Sequence, residues 1–253
     1  MSVIAVAGGT GLIGRMVVGA ARRDGHEVRV ISRSQGVDLM SGAGLDDALR
    51  GVRVVIDAAN VTTMSRSKAV EFFGTTTGRL LEAGQRAGVA HHVALSIVGI
   101  DRVDYGYYEG KRRQEELVTA APVPWTILRA TQFHEFAGQI LDRVPGPVVV
   151  VPRMLTQPVA AVEVAGELVR LAGAEPAGFA TEIAGPQQLD LVDMARDVIR
   201  ARHQRRIVLP LRMPGAVGRA MAGGDQLPKG EVTLGRIRFA DWLASQELSR
   251  SGS

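Results

Sequence analysis

Residues 3–14, VIAVAGGTGLIG, decide the fold of this chain, because an apolar run gives way there to Gly8, Gly11 and Gly14. The run VIAVA is typical of a buried strand, and the apolar residues after Gly11 recur at helical spacing. A tight turn needs positive φ, a bound pyrophosphate needs a backbone that it can approach, and a helix packed on a strand needs a contact without a side chain. Glycine meets each of these needs. We therefore predict a strand, a tight turn and a helix.

The predicted turn directs the free N–H groups of the helix, and the positive end of its dipole, toward the end of the strand. A dinucleotide pyrophosphate fits this position, although an ordinary glycine turn in an α/β domain is the alternative. The context favours the cofactor, because EVRVIS at 27–32 supplies a second strand and completes a βαβ unit. The predicted cofactor-binding residues of this turn and helix start are Gly8, Thr10, Gly11, Leu12 and Ile13.

Strand-like and helical segments alternate along the rest of the chain. This alternation predicts an α/β fold, namely a Rossmann-type, doubly wound parallel sheet. The clearest helix covers 67–87, and Gly88 is its predicted terminator. The strand-like runs are 3–7, 27–32, a short one at Val37, 53–58, 91–97 and 125–129.

The pattern loosens from Pro145 onward. We expect one Rossmann domain over 1–253, in which residues of about 145–245 contribute a smaller substrate-binding lobe at the carboxyl edge of the sheet. The tail after Ser245 is expected to fray. The elements predicted in this part are a strand at 148–151, a helix at 162–171, a strand at 179–184 and a helix that begins near Leu189.

Composition excludes several classes of site. The chain has no cysteine, so disulfides, thiolate metal sites and a cysteine nucleophile are excluded. Its 5 histidines show no metal-ligand spacing, and we expect no metal. The sequence opens on a predicted strand rather than a signal peptide, and no apolar run approaches the ~20 residues that a spanning helix needs. We therefore expect a cytoplasmic protein without a membrane segment.

Nucleic-acid binding is an alternative raised by the formal net charge of +4 and by the basic stretch RARHQRR at 200–206. This stretch ends a segment with helical periodicity. The dipole of a helix favours cations at its C-terminus without any partner. We therefore expect a solvated helix end and no nucleic acid.

The end of the second predicted strand decides which dinucleotide is bound. An acidic side chain there accepts hydrogen bonds from the ribose hydroxyls of NAD(H), whereas a basic one pairs with the 2′-phosphate of NADP(H). This chain has Ser32, Arg33 and Ser34 at that point. We predict that NADP(H) is preferred over NAD(H), with Arg33 on the phosphate and a serine hydroxyl beside it. The alternative is a solvated arginine in a loop.

A second group of residues predicts the reaction. Ser96 lies near the end of the run 91–97, where doubly wound sheets present ligand-binding groups. Tyr107 and Lys111 are four residues apart, so a helix puts them on one face. An ammonium beside a phenol favours the phenolate and lowers its pKa. We predict that Tyr107 protonates a carbonyl oxygen held by Ser96, while a reduced nicotinamide delivers a hydride to the carbon.

Structural alternatives stand beside these catalytic roles. Tyr107 is otherwise an aromatic residue packed at a helix start, and Lys111 is otherwise a surface partner of Glu115. All three tyrosines lie in YGYY, at Tyr105, Tyr107 and Tyr108. The choice of Tyr107 among them rests on its spacing to Lys111.

These motifs together resemble those of a known family. The chain resembles the atypical, NmrA-like short-chain dehydrogenases/reductases with an NAD(P)H-binding domain, and the resemblance is firmest over residues 1–140. It implies an NADPH-dependent oxidoreductase that reduces a carbonyl, a quinone or a related small electrophile. The motifs that carry it are GGTGLIG at 8–14, VDL at 37–39, DAAN at 57–60, Ser96, YxxxK at 107–111 and ILRATQFHEF at 127–136.

The resemblance also implies roles for residues that chemistry alone does not select. It places Asp38 at the adenine and has residues 58–60 (Ala58, Ala59 and Asn60) line the cofactor, with Leu39 and Lys111 as further cofactor contacts. It puts residues 129–134 beside the nicotinamide and the substrate. The predicted pocket residues among them are Gln132, Phe133 and His134, although a lone histidine is more often packed or solvent-facing. Some members bind NADP as sensors, so a non-catalytic NADP-sensing regulatory protein is the alternative. The expected partners are a small-molecule substrate and, at most, a second copy in a homodimer.

Overall fold

The glycine turn forms where the sequence predicts it. In the computed structural model, strand β1 (Val3–Ala7) leads into Gly8, which has a φ of +70°. The N–H of Gly11 donates to the carbonyl oxygen of Gly8 at 2.9 Å, and helix α1 (Leu12–Arg23) begins at the next residue. A Cβ on Gly14 would lie 2.1 Å from the carbonyl oxygen of Gly8, so α1 reaches the turn only without a side chain there. The predicted strand, turn and helix are confirmed.

The structure describes residues 2–251. No helix in this part of the chain is long and apolar enough to cross a membrane. After β1 and α1 come β2 (Glu27–Ile31), a 3₁₀ turn (Arg33–Gln35), α2 (Leu45–Leu49), β3 (Val54–Asp57), α3 (Arg66–Ala87), β4 (His91–Ile97), α4 (Gly106–Ala120) and β5 (Trp125–Ala130). The later elements are α5 (Glu135–Arg143), β6 (Val148–Pro152), β7 (Leu155–Thr156), α6 (Ala161–Ala172), β8 (Gly178–Phe179), β9 (Glu182–Ala184), β10 (Leu189–Asp190), α7 (Leu191–Ala201), β11 (Ile207–Leu211), α8 (Gly215–Ala222), β12 (Val232–Leu234) and α9 (Phe239–Ser251).

The first of two compact units consists of Met1–Ile100, Asp104–Arg129 and Val162–Thr181. Its strands follow the order β2-β1-β3-β4-β5, and β8 pairs with β5. β1 is parallel to both β2 and β3, and β3 is parallel to β4. The strand order reverses at β1, which is the point where sheets of this kind bind ligands. The predicted Rossmann-type α/β fold is confirmed.

The central strands of this unit are buried, and apart from Asp57 at the end of β3 the residues of β1 and β3 are apolar. All of β3 is buried, as is β1 from its second residue onward, which is typical of parallel strands covered on both faces. Leu45 and Leu49 of α2 and Leu80 of α3 belong to the core cluster that includes Ala5 and Ala7 of β1. Helix α3 ends at Gly88, as predicted, because that residue takes a φ of +73°.

The second unit consists of Asp101–Val103, Ala130–Ala161 and Glu182–Ser253. In it, Ala130 at the end of β5 pairs with Ile183 of β9, and β9 is parallel to β12. Two small sheets accompany these strands. β6 is parallel to β11, and β7 is antiparallel to β10.

The prediction of a short strand at Val37 is wrong. Gly36 has a φ of +77°, and the N–H of Val37 donates to the carbonyl oxygen of Ser32 at 3.1 Å. These two features close a loop rather than extend a strand. The side chain of Val37 is nevertheless buried in the core, which accounts for its strand-like composition.

Three later boundaries also differ from the prediction. The strand expected at 179–184 is divided into β8 and β9. The helix expected near Leu189 begins at Leu191, because residues 189–190 pair with β7 and Asp190 caps the helix by accepting the N–H of Val192 at 2.8 Å. The prediction that the tail after Ser245 frays is wrong as far as residue 251. Helix α9 starts from the buried Phe239 and continues to that residue. Residues 252 and 253 lie outside the described part.

Two glycines of α1 test the close contact at the turn. Gly14→Ala is expected to lower the free energy of unfolding by about 1–3 kcal/mol, because its Cβ collides with backbone. Gly19→Ala is the control, since its Cβ would meet only the guanidinium of Arg23 at 3.5 Å. By helix propensity it should stabilise the protein by up to about 1 kcal/mol. Urea unfolding measures both, and equal stabilities would contradict the contact.

Candidate functional site

Ser96 is a buried hydroxyl near the end of β4. Its residue is 2% exposed, and its Oγ has no hydrogen-bond partner within residues 2–251. A buried hydroxyl without a partner costs about 1–3 kcal/mol, so native proteins keep one where a ligand or water supplies the missing bond. The hydroxyl is therefore available to a ligand oxygen at the carboxyl end of β4.

Lys111 of α4 is held beside the same strand. Its Nζ donates to the carbonyl oxygen of Leu95, the residue before Ser96, at 2.6 Å, and to Oε1 of Gln114. The Nζ also lies 4.7 Å from the centre of the Phe73 ring. The fold thus brings Lys111 next to the backbone of the predicted serine.

The environment of Lys111 shifts the pKa of its ammonium group. Burial lowers the pKa of Lys111 to about 8, while Asp57 and Glu115 oppose that effect. Its residue is only 4% exposed, so Lys111 is not the surface partner of Glu115 that the sequence left as an alternative. Near neutral pH both its protonated and its neutral form are accessible, which suits a group that supports proton transfer.

Tyr107 lies one turn before Lys111 on α4. Its hydroxyl donates to Oδ1 of Asn60 at 2.7 Å. Its ring meets Phe73 edge-on, with 5.7 Å between the centroids. Phe73 of α3 therefore contacts both Tyr107 and Lys111.

The predicted lowering of the Tyr107 pKa is wrong. Burial raises this pKa, and the neighbouring phenols of Tyr108 and Tyr105 add to the effect. Within the described residues the hydroxyl bonds to Asn60 rather than to Lys111, so the ammonium does not offset the burial. Tyr107 is consequently a neutral phenol at physiological pH and carries a proton that it can donate.

Two polar residues of this site, Asp57 and Gln114, are not among the site residues predicted from the sequence. Asp57 is 1% exposed, and its Oδ2 accepts the Nε2–H of Gln114 at 2.8 Å and the hydroxyl of Thr77 at 3.4 Å. Its Oδ1 accepts the N–H of Ala59 at 3.0 Å. The carboxylate at the end of the apolar β3 was a signal available in the sequence. Gln114, three residues after Lys111, carried none.

A buried ion pair fixes α4 to β5. Nε and Nη2 of Arg129 donate to the two carboxylate oxygens of Glu115 at 2.9 and 2.6 Å. The guanidinium carbon of Arg129 also lies 5.2 Å from the centre of the Phe179 ring. Bidentate pairs of this kind are geometrically specific. This one therefore fixes the helix that carries Tyr107 and Lys111.

The glycine turn meets the loop that follows β3. A Cβ on Gly8 would lie 2.8 Å from the carbonyl oxygen of Ala58 and from the Cα of Ala59, so only glycine allows this approach. The first turn of α1 has no acidic residue, and Gly11 offers no side chain to cap it. The turn therefore presents a cradle and free N–H groups suited to an anion. Of the other residues predicted here, Thr10 is exposed, Leu12 is partly exposed and Ile13 is buried.

The loop after β2 carries the residues predicted to distinguish the two dinucleotides. The hydroxyls of Ser32 and Ser34 lie 3.0 Å apart. The side chain of Arg33 is exposed and makes no hydrogen bond or ion pair with another residue of the described part of the chain. Asp38 accepts the N–H of Met40 at 2.9 Å and the hydroxyl of Ser41 at 3.2 Å, which fixes its loop. Leu39 packs against the core of the first unit.

The predicted substrate residues lie in the second unit. Phe133 forms a parallel bridge with Val159, and the carbonyl oxygen of Gln132 accepts the N–H of Val159 at 2.9 Å. His134 is fully buried, and its Nε2 lies 3.0 Å from the carbonyl oxygen of Ile237. Its ring packs against Phe239 and Trp242 with 5.4 and 5.7 Å between centroids. The substrate role of Gln132, Phe133 and His134 stays a prediction.

Comparison with known proteins gives one matching family and two curated relatives. The family, described as NAD(P)H-binding, matches residues 8–142. The (4-alkanoyl-5-oxo-2,5-dihydrofuran-3-yl)methyl phosphate reductase of Streptomyces griseus is 31% identical over an alignment of 158 residues that covers 56% of this chain and 51% of that protein. A photosystem II assembly factor of Trieres chinensis is 26% identical over an alignment of 162 residues that covers 55% of this chain and 50% of that protein. The chain thus spans about half the length of these curated relatives.

Solved structures with a similar fold cover nearly all of the chain. A short-chain dehydrogenase/reductase superfamily protein from Agrobacterium tumefaciens with bound NAD has a TM-score of 0.71 at 17% identity and covers 99% of this chain and 97% of its own. An NADPH-dependent quinone oxidoreductase from Escherichia coli has a TM-score of 0.67 at 15% identity, with 96% and 99% covered. A UDP-N-acetylglucosamine 4-epimerase from Bacillus cereus has a TM-score of 0.73 at 18% identity, with 100% and 98% covered. At these identities the likeness shows the fold alone.

Adjacent glutamates of α4 test the buried ion pair. Glu115→Gln is expected to lower the free energy of unfolding by about 3 kcal/mol, because it removes the bidentate, largely buried charge pair with Arg129. Glu116→Gln is the matched control, because its pair with Arg113 is exposed and should contribute less than about 1 kcal/mol. Chemical unfolding of both variants gives the comparison. If Glu115→Gln is as stable as the control, the pair does not fix α4.

Proposed function

Because the chain belongs to the NAD(P)H-binding family and has the fold of the short-chain dehydrogenase/reductase superfamily, we propose that it is an NADPH-dependent oxidoreductase. Its proposed substrates are carbonyl compounds, quinones or related small electrophiles. The observation that carries this proposal is the buried Ser96 hydroxyl, which has no partner in the described residues and follows the carbonyl that holds Lys111. The resemblance to NmrA-like short-chain dehydrogenases/reductases, drawn from the sequence motifs, is confirmed.

The residues at the end of β1 and β2 fit a dinucleotide. Gly8 and Gly14 let the turn pack directly against the loop after β3 and the start of α1, and the uncapped start of α1 suits a pyrophosphate. In this proposal Arg33 pairs with the 2′-phosphate, with Ser32 and Ser34 beside it, and NADP(H) is therefore preferred to NAD(H). The remaining proposed cofactor contacts are Thr10, Gly11, Leu12, Ile13, Asp38, Leu39, Ala58, Ala59, Asn60 and Lys111.

The proposed reaction divides its work among three side chains. NADPH, when bound, supplies a hydride for the substrate carbon. The Ser96 hydroxyl donates a hydrogen bond to the substrate oxygen, and Tyr107 gives that oxygen a proton. Lys111 lies one turn farther along α4, bound to Leu95 and Gln114, and supplies the positive charge of the site in this proposal. A proton from solvent then restores the neutral Tyr107.

The chain's resemblance to the reductase of Streptomyces griseus supports a reduction rather than an epimerisation, since that protein is named a reductase and shares 31% identity over more than half of this chain. The substrate in the name of that reductase carries a conjugated carbonyl and a phosphate ester. For this chain we propose only the shared chemistry, a small electrophilic carbonyl. Gln132, Phe133 and His134 are the proposed substrate contacts.

A second candidate is a non-catalytic NADP-sensing regulatory protein. The observation that favours it is the hydrogen bond from Tyr107 to Asn60, which gives the proposed proton donor a partner within the chain. The raised pKa of Tyr107 points the same way, because a weaker acid donates its proton less readily. Turnover distinguishes the two candidates.

Replacement of the proposed proton donor tests the enzyme directly. NADPH oxidation is followed by absorbance with a panel of quinones, ketones and aldehydes, and the parent protein is expected to oxidise NADPH with at least one of them. Tyr107→Phe is expected to lower kcat by roughly 10²–10⁴-fold and to leave NADPH affinity unchanged. Tyr105→Phe, two residues away, is the control and should keep its turnover. An unimpaired Tyr107→Phe would show that another group donates the proton, and a parent inactive with the whole panel would favour the sensor.

A further inference from the structure

Three polar groups form a continuous chain behind the proposed active site. The Asp57 carboxylate accepts a hydrogen bond from Nε2–H of Gln114 at 2.8 Å, and Oε1 of Gln114 accepts a hydrogen bond from the Lys111 ammonium. The ammonium continues the chain to the carbonyl oxygen of Leu95 at 2.6 Å. Asp57, Lys111 and Gln114 are each no more than 4% exposed, so solvent does not replace these bonds.

The orientation of the Gln114 amide follows from its neighbours. A carboxylate only accepts hydrogen bonds and an ammonium only donates them. The amide must therefore turn its NH₂ group toward Asp57 and its oxygen toward Lys111. The hydroxyl of Thr77 and the N–H of Ala59 also bind the carboxylate, which fixes that end of the chain.

We propose that Gln114 is a positioning residue, which holds the Lys111 ammonium against the Leu95 carbonyl and separates it from a direct ion pair with Asp57. The proposal rests on the proposed function in that Lys111 serves the reaction. Gln114 lies outside the YxxxK motif and is not one of the proposed substrate contacts. Its effect on the reaction passes through Lys111.

The charged groups around Lys111 define what this separation achieves. Asp57 of β3 and Glu115 of α4 favour the ammonium, whereas burial disfavours it, and the net pKa is about 8. His92 of β4 also interacts with Asp57, and Phe73 of α3 covers the ammonium with its ring. A carboxylate in direct contact would stabilise the charge more strongly than an amide does. The amide therefore keeps Lys111 able to gain and lose a proton near neutral pH.

Titration of the lysines tests the proposal without any need for turnover. The chain has only three lysines, Lys68, Lys111 and Lys229, so ¹³C-labelled lysine gives a simple NMR spectrum. In the parent protein the Lys111 side chain is expected to titrate near pH 8. Gln114→Met removes the acceptor at similar volume and should lower that midpoint by about one to two pH units. Gln114→Glu keeps an acceptor oxygen there and should return the midpoint to the parent value or above it.

Three controls keep the test specific. The NMR signal of the exposed Lys68 is the internal reference, and Glu116→Gln on the solvent side of α4 should leave the Lys111 midpoint unchanged. Gln114→Leu replaces Gln114→Met if the latter does not fold. A Lys111 midpoint that stays at the parent value after the acceptor is removed would overturn the proposal.

The reaction supplies an independent readout. The basic limb of the pH profile of NADPH oxidation should move with the Lys111 midpoint, to lower pH in Gln114→Met and back in Gln114→Glu. A midpoint that moves in a protein without turnover would support the role of Gln114 and count against the reductase. Turnover with an unmoved midpoint would support the reductase and count against the role of Gln114.

Discussion

The contact between Gly14 and the carbonyl oxygen of Gly8 is the constraint on which the nucleotide end of the first unit depends. A side chain at residue 14 would overlap the turn, and a side chain at residue 8 would overlap the loop after β3. The absence of a side chain at Gly8 and Gly14 thus lets α1, the turn and residues 58–59 come together at one edge of the sheet. The uncapped N–H groups of α1 remain at that edge, where an anion stabilises them.

Buried charge is the second organising feature of this unit. Asp57 and Lys111 are separated by an amide, while Glu115 and Arg129 meet directly. Buried charges are strongly destabilising unless each has partners, and here each has at least one hydrogen-bond partner. The direct pair fixes α4 to β5, and the separated pair leaves Lys111 close to its point of titration. Helix α4 therefore carries both Glu115, which fixes it to β5, and Lys111, whose charge changes near neutral pH.

The parts of this molecule that were predictable from sequence are those governed by local rules. The strands at 3–7 and 91–97 and the end of α3 at Gly88 follow from apolar runs and from positive φ, and they are confirmed. The strand prediction at Val37 was wrong because a buried valine gives the same apolar signal in a loop as in a strand. Asp190 starts α7 later than expected, because the sequence does not reveal that residues 189–190 pair with β7.

The site was predictable only in part, for the same reason. Helical spacing correctly put Tyr107 and Lys111 on one helix, four residues apart. It did not give their partners, because Asn60 and Leu95 are brought to them by tertiary packing. The sign of the Tyr107 pKa shift was wrong, since burial outweighs an ammonium that bonds elsewhere. Gln114 has no sequence signal at all, since only the position of Asp57 gives its amide a role.

Direct titration of the purified protein with NADPH and with NADH, followed by nicotinamide fluorescence, measures whether the glycine turn holds a dinucleotide. We expect saturable binding of both dinucleotides, with NADPH bound more tightly because the exposed Arg33 after β2 meets a 2′-phosphate. Failure of either dinucleotide to bind would contradict the assignment of the glycine turn as a pyrophosphate cradle, and with it the proposed reaction.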